Sequence, residues 1–329
     1  MFFKRNTKKR ILILWYTCDN NLGDYFLFNT VRNYAIKWGF DVQDMDIGLS
    51  YKLIAKKARK FDLIWFAGGG IIERYIPNIL EHFPEFYEMS KHIPYGITGV
   101  SIGDFDYSSK IESLKAWVKN ATFFYARDVF STKFLNGLVD ADHVKPSVDV
   151  VFAYDKFDVV NNQDEKSVGI NFREMPYPDL TGNIDWSAWN RIILDSFNQK
   201  IIGIPDQHDM SIHFSFSFER EYTPQNAVKI ISKIDFGIAM RYHVILIAAL
   251  YGKICIPIDY CPKVSRLAEQ LGVEDLIIHY NEFGKLPFVI RKYRDNEDFY
   301  KKKIRENVII MKKQANKMFG DIKSILKEM

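Results

Sequence analysis

Short β-branched runs alternate with helix-patterned segments along most of this chain, and that alternation leaves few folds open. Residues 11–16, 62–67, 94–101 and 122–126 read as buried strands, most of them running into a polar or glycine-containing turn with a helical stretch behind. The polar segment 154–166, YDKFDVVNNQDEK, interrupts the pattern, which resumes with strands over 167–172, 200–204, 237–240 and 253–259. Two β-loop-α arrays joined by a linker predict an α/β protein of two Rossmann-like domains, their parallel, doubly wound sheets facing across a cleft. The expected boundaries are an N-terminal domain over 1–155 and a C-terminal domain over 166–295. A lysine-rich surface helix over 296–329 follows. A length of 329 residues, long for one core, fits the same division.

In parallel sheets with helical crossovers the strand C-termini share an edge, and ligands bind there. The stretch 237–263, GIAMRYHVILIAALYGKICIPIDYCPK, puts Arg241, His243 and Lys263 at two successive strand-to-helix junctions, with Gly252 closing the helix between them. Free N–H groups at helix starts favour an anion. Two fixed cations and a titratable imidazole beside them suit a small, multiply charged anion and proton transfer to it. Each residue has a plainer reading, since a lone histidine beside an apolar helix is more often structural and Lys263 after Pro262 can simply be exposed. Their convergence favours the functional one.

Other polar groups fall at similar junctions. In Asn21-Leu22-Gly23-Asp24, Gly23 fits a tight turn, and Asp24 fits either a helix cap or a carboxylate that deprotonates a hydroxyl. Gly68-Gly69-Gly70 lets the backbone approach a ligand, or merely turns the chain. Arg127-Asp128 reads as a helix cap with a solvent-facing arginine, or as a guanidinium fork for phosphate or carboxylate. Arg173 has the same placement in the second array, and His208 belongs to the expected cleft wall.

What is missing also narrows the function. There is no G-x-G-x-x-G fingerprint, no G-x-x-x-x-G-K-[ST] loop and no Gly-x-Ser-x-Gly elbow. The net charge of +4 is not gathered into one basic stripe, so nucleic acid is not an expected partner. Asp44-x-Asp46 and Asp140-x-Asp142 have the spacing of metal-dependent glycosyltransferases but no strand context in the sequence, and neither metal nor cofactor is expected. Cys18, Cys255 and Cys261 are too few and too badly spaced for a disulfide framework or a zinc site. No run approaches the ~18 apolar residues of a membrane span. A cytoplasmic location is expected, with peripheral attachment to the inner membrane face through basic residues 2–10 as the second expectation.

Taken in order, Asn21-Leu22-Gly23-Asp24, Gly68–Gly70, Arg127-Asp128 with Ser131, and Arg241-x-His243 with Tyr260-x-x-Lys263 resemble the polysaccharide pyruvyltransferases over residues 11–271. The resemblance implies a two-domain GT-B fold. It also implies transfer of the enolpyruvyl group of phosphoenolpyruvate onto two hydroxyls of a sugar, or of a lipid-linked oligosaccharide, giving a pyruvate ketal and phosphate. Arg127, His243 and Lys263 match the family's phosphoenolpyruvate contacts, and Arg241 adds a further one. His243 is then the expected proton donor and Asp24 the expected base, with Asn21, Gly23, Gly69, Gly70, Arg173 and His208 as further binding residues. The first helix begins Tyr25-Phe26-Leu27-Phe28 where the family often has small residues, a departure that bears on the acceptor. The alternatives are a GT-B glycosyltransferase using a nucleotide sugar and a non-catalytic glycan-binding protein.

Overall fold

The apolar runs pair into two sheets, every ladder of which is parallel. The computed structural model describes residues 8–17, 21–72, 93–103, 111–155, 157, 167–173, 184–206, 217–218 and 222–329. The first sheet contains β1 (Arg10–Trp15), β2 (Asp41–Asp46), β3 (Leu63–Phe66), β4 (Gly69–Ile72), β5 (Tyr95–Ile102), β6 (Phe123–Ala126) and β7 (Lys145–Pro146). Its order is β2-β1-β3-β5-β6-β7, with β4 also pairing β5. The second contains β8 (Ser167–Asn171), β9 (Lys200–Gly203), β10 (Ser217–Phe218), β11 (Phe236–Ala239), β12 (Ile254–Asp259) and β13 (Ile278–His279), ordered β10-β9-β8-β11-β12-β13. Central strands β3, β5, β6, β8 and β11 are buried at every residue, as sheets covered by helices on both faces require.

The helices on the first sheet are α1 (Leu22–Lys37), α2 (Tyr51–Ala58), α3 (Ile111–Lys119) and α4 (Val129–Val139). Those on the second are α5 (Trp186–Ser196), α6 (Pro224–Lys233), α7 (Tyr242–Leu250), α8 (Pro262–Leu271) and α9 (Leu286–Asp295), before the long α10 (Glu297–Glu328). Several starts are written in the sequence: Ser50, Asp128, Asp185 and Thr223 each accept a backbone N–H three residues on, the N-cap bond.

The chain divides into two compact units. Unit 1 comprises Met1–Cys18, Asp24–Asp155 and Lys312–Met329, and unit 2 comprises Asp19–Gly23 and Lys156–Met311. Two short segments therefore leave the sequence-order division: Asn21–Gly23 belongs with unit 2, and the end of α10 with unit 1. α10 is lysine-rich, yet Tyr300, Ile304, Val308 and Met311 are buried in unit 2 and Ala315, Met318, Phe319, Ile322 and Leu326 in unit 1. Their three- and four-residue spacing makes one apolar stripe, which composition averaged over all faces conceals. In unit 1 the Phe319 ring stacks on Tyr34 at 3.9 Å.

Two elements carry no clear signal in the sequence. The glycine break is followed at once by β4, because Gly68 (φ +104°) and Gly69 (φ +87°) turn the backbone through left-handed conformations. A Cβ on Gly68 would lie 2.3 Å from the Thr98 carbonyl oxygen, so the turn needs glycine. α9 is masked by Pro287, which occupies a first-turn position where its missing N–H costs nothing. Most of the segments 154–166, 70–94 and 103–110 lies outside the described residues.

Candidate functional site

At the C-terminal edge of the second sheet one buried amide ties together the turns that follow three strands. β8 ends at Asn171, in register with Ala239 of β11. The Asn171 Oδ1 accepts the Arg241 backbone N–H at 3.2 Å, and its Nδ2 donates to the Ile204 carbonyl at 2.9 Å. Arg241 is consequently held at the N-cap of α7, a helix with seven of nine residues buried. The Arg241 side chain is 7% exposed, and its Nε lies 3.3 Å from Asp206 Oδ2. Neither Nε nor Nη2 has hydrogen-bond geometry to a partner among the described residues. Buried N–H groups in that condition cost free energy that an accepting anion would offset.

Further cations meet around Tyr260, just beyond β12. The Arg173 Nη1 lies 3.3 Å from the Tyr260 hydroxyl, and its guanidinium sits 5.6 Å from the ring centroid. Lys263 lies in the first turn of α8. Burial pushes the Tyr260 hydroxyl up and Cys261 adds to the rise, while Lys263, Arg173 and Arg241 oppose it. For Arg173, burial works against the charge, but Tyr260, Cys261 and Asp206 outweigh it and the guanidinium is held more firmly protonated.

His243 sits in the first turn of α7, its ring 4.9 Å from that of Tyr242. The ring also abuts Gly23. A Cβ on Gly23 would lie 1.9 Å from His243 Nδ1, so the imidazole occupies the space a side chain there would need. The Asn21–Gly23 turn is fastened twice: Asn21 Oδ1 accepts the Gly23 N–H at 2.8 Å, and Asp206 Oδ1 accepts the Leu22 N–H at 3.0 Å. Unit 2 thus gathers Asn21, Gly23, Arg173, Arg241, His243 and Lys263 from the expected set. His208 lies outside the described residues. The sequence reading did not single out Asp206, whose one signal was an acidic residue three positions past a strand at the C-terminal sheet edge.

The matching edge of unit 1 is built differently. Arg127 is neither solvent-facing nor an open fork: it is 3% exposed. Its Nη1 pairs with Asp149 Oδ2 at 3.1 Å and its Nη2 donates to Ser101 Oγ at 2.7 Å. Asp149 also accepts the Val151 N–H at 3.0 Å. Asp128 is the expected cap, accepting the Ser131 N–H at 2.7 Å and its hydroxyl at 2.8 Å. Asp24 is not an N-cap, because α1 begins two residues earlier; it lies in the first turn, where the helix dipole favours a carboxylate. A Cβ on Gly69 would lie 3.1 Å from Asp24 Oδ1, which brings Asp24 and the Gly69-Gly70 strand start together.

The D-x-D pair at 44 and 46 does lie in a strand, β2, contrary to the sequence reading. Its carboxylates serve local bonds: Asp44 accepts the Trp15 indole N–H at 2.9 Å, and Asp46 accepts the Gly48 N–H at 2.7 Å and the Thr17 hydroxyl. Among the described residues no three His, Cys, Asp or Glu side chains group as metal ligands, and no helix is long and apolar enough to cross a membrane.

Solved structures share this architecture. A putative UDP-N-acetylglucosamine 2-epimerase from Listeria monocytogenes aligns with a TM-score of 0.65 at 12% identity, covering 98% of each chain. The UDP-GlcNAc 2-epimerase from Methanocaldococcus jannaschii aligns at 0.51 and 9%, covering 92% of each. An alpha-glucosyltransferase solved with UDP and DNA aligns at 0.52 and 11%, covering 98% of this chain and 100% of that one. At such identities the likeness is one of fold, that of the GT-B glycosyltransferases and epimerases. No curated protein matches the chain at a significant level. A family model does: Polysaccharide pyruvyl transferase matches residues 5–262, a span that takes in the first sheet, β8 to β12 of the second, Asp24, Arg127 and the Arg241–His243 junction. This chain therefore belongs to the polysaccharide pyruvyl transferase family.

Proposed function

We propose that the protein transfers the pyruvyl group of phosphoenolpyruvate onto two hydroxyls of a sugar in a polysaccharide or its precursor, forming a ketal and releasing phosphate. The observation that carries this reading is the buried Arg241 guanidinium, with Nε and Nη2 lacking hydrogen-bond partners among the described residues, on the edge that also bears His243, Lys263 and Arg173. A phosphate and a carboxylate on one small molecule match several fixed cations, and family membership names the reaction class.

In this reading Arg241 and Lys263 hold the anionic groups, and His243 delivers a proton to the methylene carbon as C2 becomes electrophilic. One sugar hydroxyl adds to C2. A second then displaces phosphate, so two protons leave the sugar: one balances the proton placed on the new methyl group and the other departs with the released phosphate. Asp24 is assigned to remove the first hydroxyl proton. Fixed cations aimed at developing charge supply most of the acceleration, and proton transfer contributes ~10²–10⁴-fold. For Arg127 the same donor role competes with its engagement by Asp149 and Ser101.

Calorimetric titration with phosphoenolpyruvate, beside uridine and guanosine diphosphate sugars, tests the reading. Saturable phosphoenolpyruvate binding, weakened about 10- to 100-fold in Arg241→Ala as loss of a charged hydrogen bond implies, is the expected result. Binding of a nucleotide sugar with none of phosphoenolpyruvate overturns it in favour of a glycosyltransferase.

A further inference from the structure

The Asp206 side chain is 3% exposed, and its carboxylate divides its two oxygens between different tasks. Oδ2 faces Arg241 Nε at 3.3 Å. Oδ1 accepts the Leu22 N–H at 3.0 Å and the Tyr222 hydroxyl at 3.3 Å. Leu22 is followed by Gly23, whose missing side chain is the space the His243 imidazole fills. A single carboxylate thus touches the guanidinium directly and, through one backbone amide, the surface against which the imidazole rests. All of these residues belong to unit 2.

We propose that Asp206 is the positioning residue of this anion site: it aims the Arg241 guanidinium and, by holding the Leu22 amide, keeps Gly23 against His243 so that cation and imidazole stay in fixed relation. The proposal rests on the reading of Arg241 and His243 as donor ligands. Asp206 itself contacts no reacting atom. Two acceptor oxygens are the essential feature. Asparagine has one, so it can serve Leu22 or Arg241 but not both, whereas glutamate keeps both.

The test uses the full chain and two readouts: affinity for inorganic phosphate by calorimetry, and the His243 imidazole resonances in the ligand-free protein, assigned by their loss in His243→Gln. In Asp206→Ala the imidazole resonances are expected to move, and phosphate affinity is expected to fall about tenfold, the loss of one charge-assisted contact. Asp206→Asn should move at least one readout, and Asp206→Glu should restore both toward wild type. A role confined to stability would lower the melting temperature and leave both readouts of the folded protein unchanged, and that result overturns the proposal. If Asp206→Ala does not fold, Asp206→Asn decides: both readouts unchanged reject the positioning role. Wild-type protein that neither binds nor turns over phosphoenolpyruvate, while its imidazole signal still follows Asp206, refutes pyruvyl transfer and leaves the positioning role standing.

Discussion

Two arginines occupy equivalent places in the two units, one residue past β6 and two past β11, at the C-terminal edges of their sheets. Both are buried and both face an aspartate, yet they are held in opposite ways. Arg127 has its two terminal nitrogens engaged, one by Asp149 and one by Ser101. Arg241 meets Asp206 by distance alone, with Nε and Nη2 lacking hydrogen-bond partners among the described residues. A guanidinium whose donors are satisfied by protein is a structural strut. One with buried donors left over is poised for a ligand that brings its own acceptors. Position in the fold alone does not separate the two roles; the partner's geometry does.

The largest effect expected from this contrast is on stability. Arg127→Ala removes the hydrogen-bonded counter-charge of the fully buried Asp149, which keeps the Val151 N–H, and should destabilise the protein by about 3–5 kcal/mol. Arg241→Ala leaves Asp206 its bonds to Leu22 and Tyr222 and should cost less than half as much. Urea unfolding of the two variants measures this, and equal losses would erase the distinction. Next comes Gly23→Ala. Its methyl group must push the His243 ring aside, and a displacement of that size is expected to reduce turnover about 10²-fold with the fold intact. Wild-type turnover in a folded Gly23→Ala protein would show that the imidazole has room to move without consequence.

A smaller effect calibrates the buried pairs against a surface one. Asp275 is half-exposed, pairs with Lys292 at 2.8 Å and accepts the Tyr300 hydroxyl at 2.7 Å. Burial raises its carboxyl, but bonds to Lys292 and Tyr300 outweigh this and hold it below its ordinary 3.8. A carboxylate depressed on folding stabilises fully above its unfolded value and loses that contribution as pH falls through the folded one. The melting-temperature gap between wild type and Asp275→Asn should therefore be constant at neutral pH and close below about pH 3.8. The smallest effect has the opposite sign. Gly137 lies within α4, and a Cβ placed on it would meet nothing within 4 Å, so Gly137→Ala should stabilise by about 0.5–1 kcal/mol. Destabilisation there would mean that the last turns of α4 are packed more tightly than the open space beside Gly137 implies.

Strands such as β1, β3 and β12 were legible because a parallel sheet covered on both faces needs near-continuous apolar runs. The polar C-terminal edge of the second sheet was legible as well, since polar residues that end such runs must collect there: Arg241, His243, Lys263 and Arg173 follow strands of that sheet. β4 was not, because GGII carries no strand signature until the left-handed turn at Gly68 and Gly69 and the partner β5 exist. Nor was Asp206, which carries no local sign of its partners Leu22, Tyr222 and Arg241, the first of them 184 residues away.

The amino-acid order by itself determined most of the secondary elements, the parallel α/β class and the identity of the cationic residues. Those depend on periodicity, caps and glycine positions, all of which act within a few residues. The tertiary structure decided what each charge does. Whether an arginine is satisfied by Asp149 or left with spare donors beside Asp206, and whether Gly23 is a turn or the seat of an imidazole, depends on groups brought together from distant parts of the chain. Burial then makes each such pairing, or its absence, matter, because a polar group out of water must find its partner inside the protein or in a ligand.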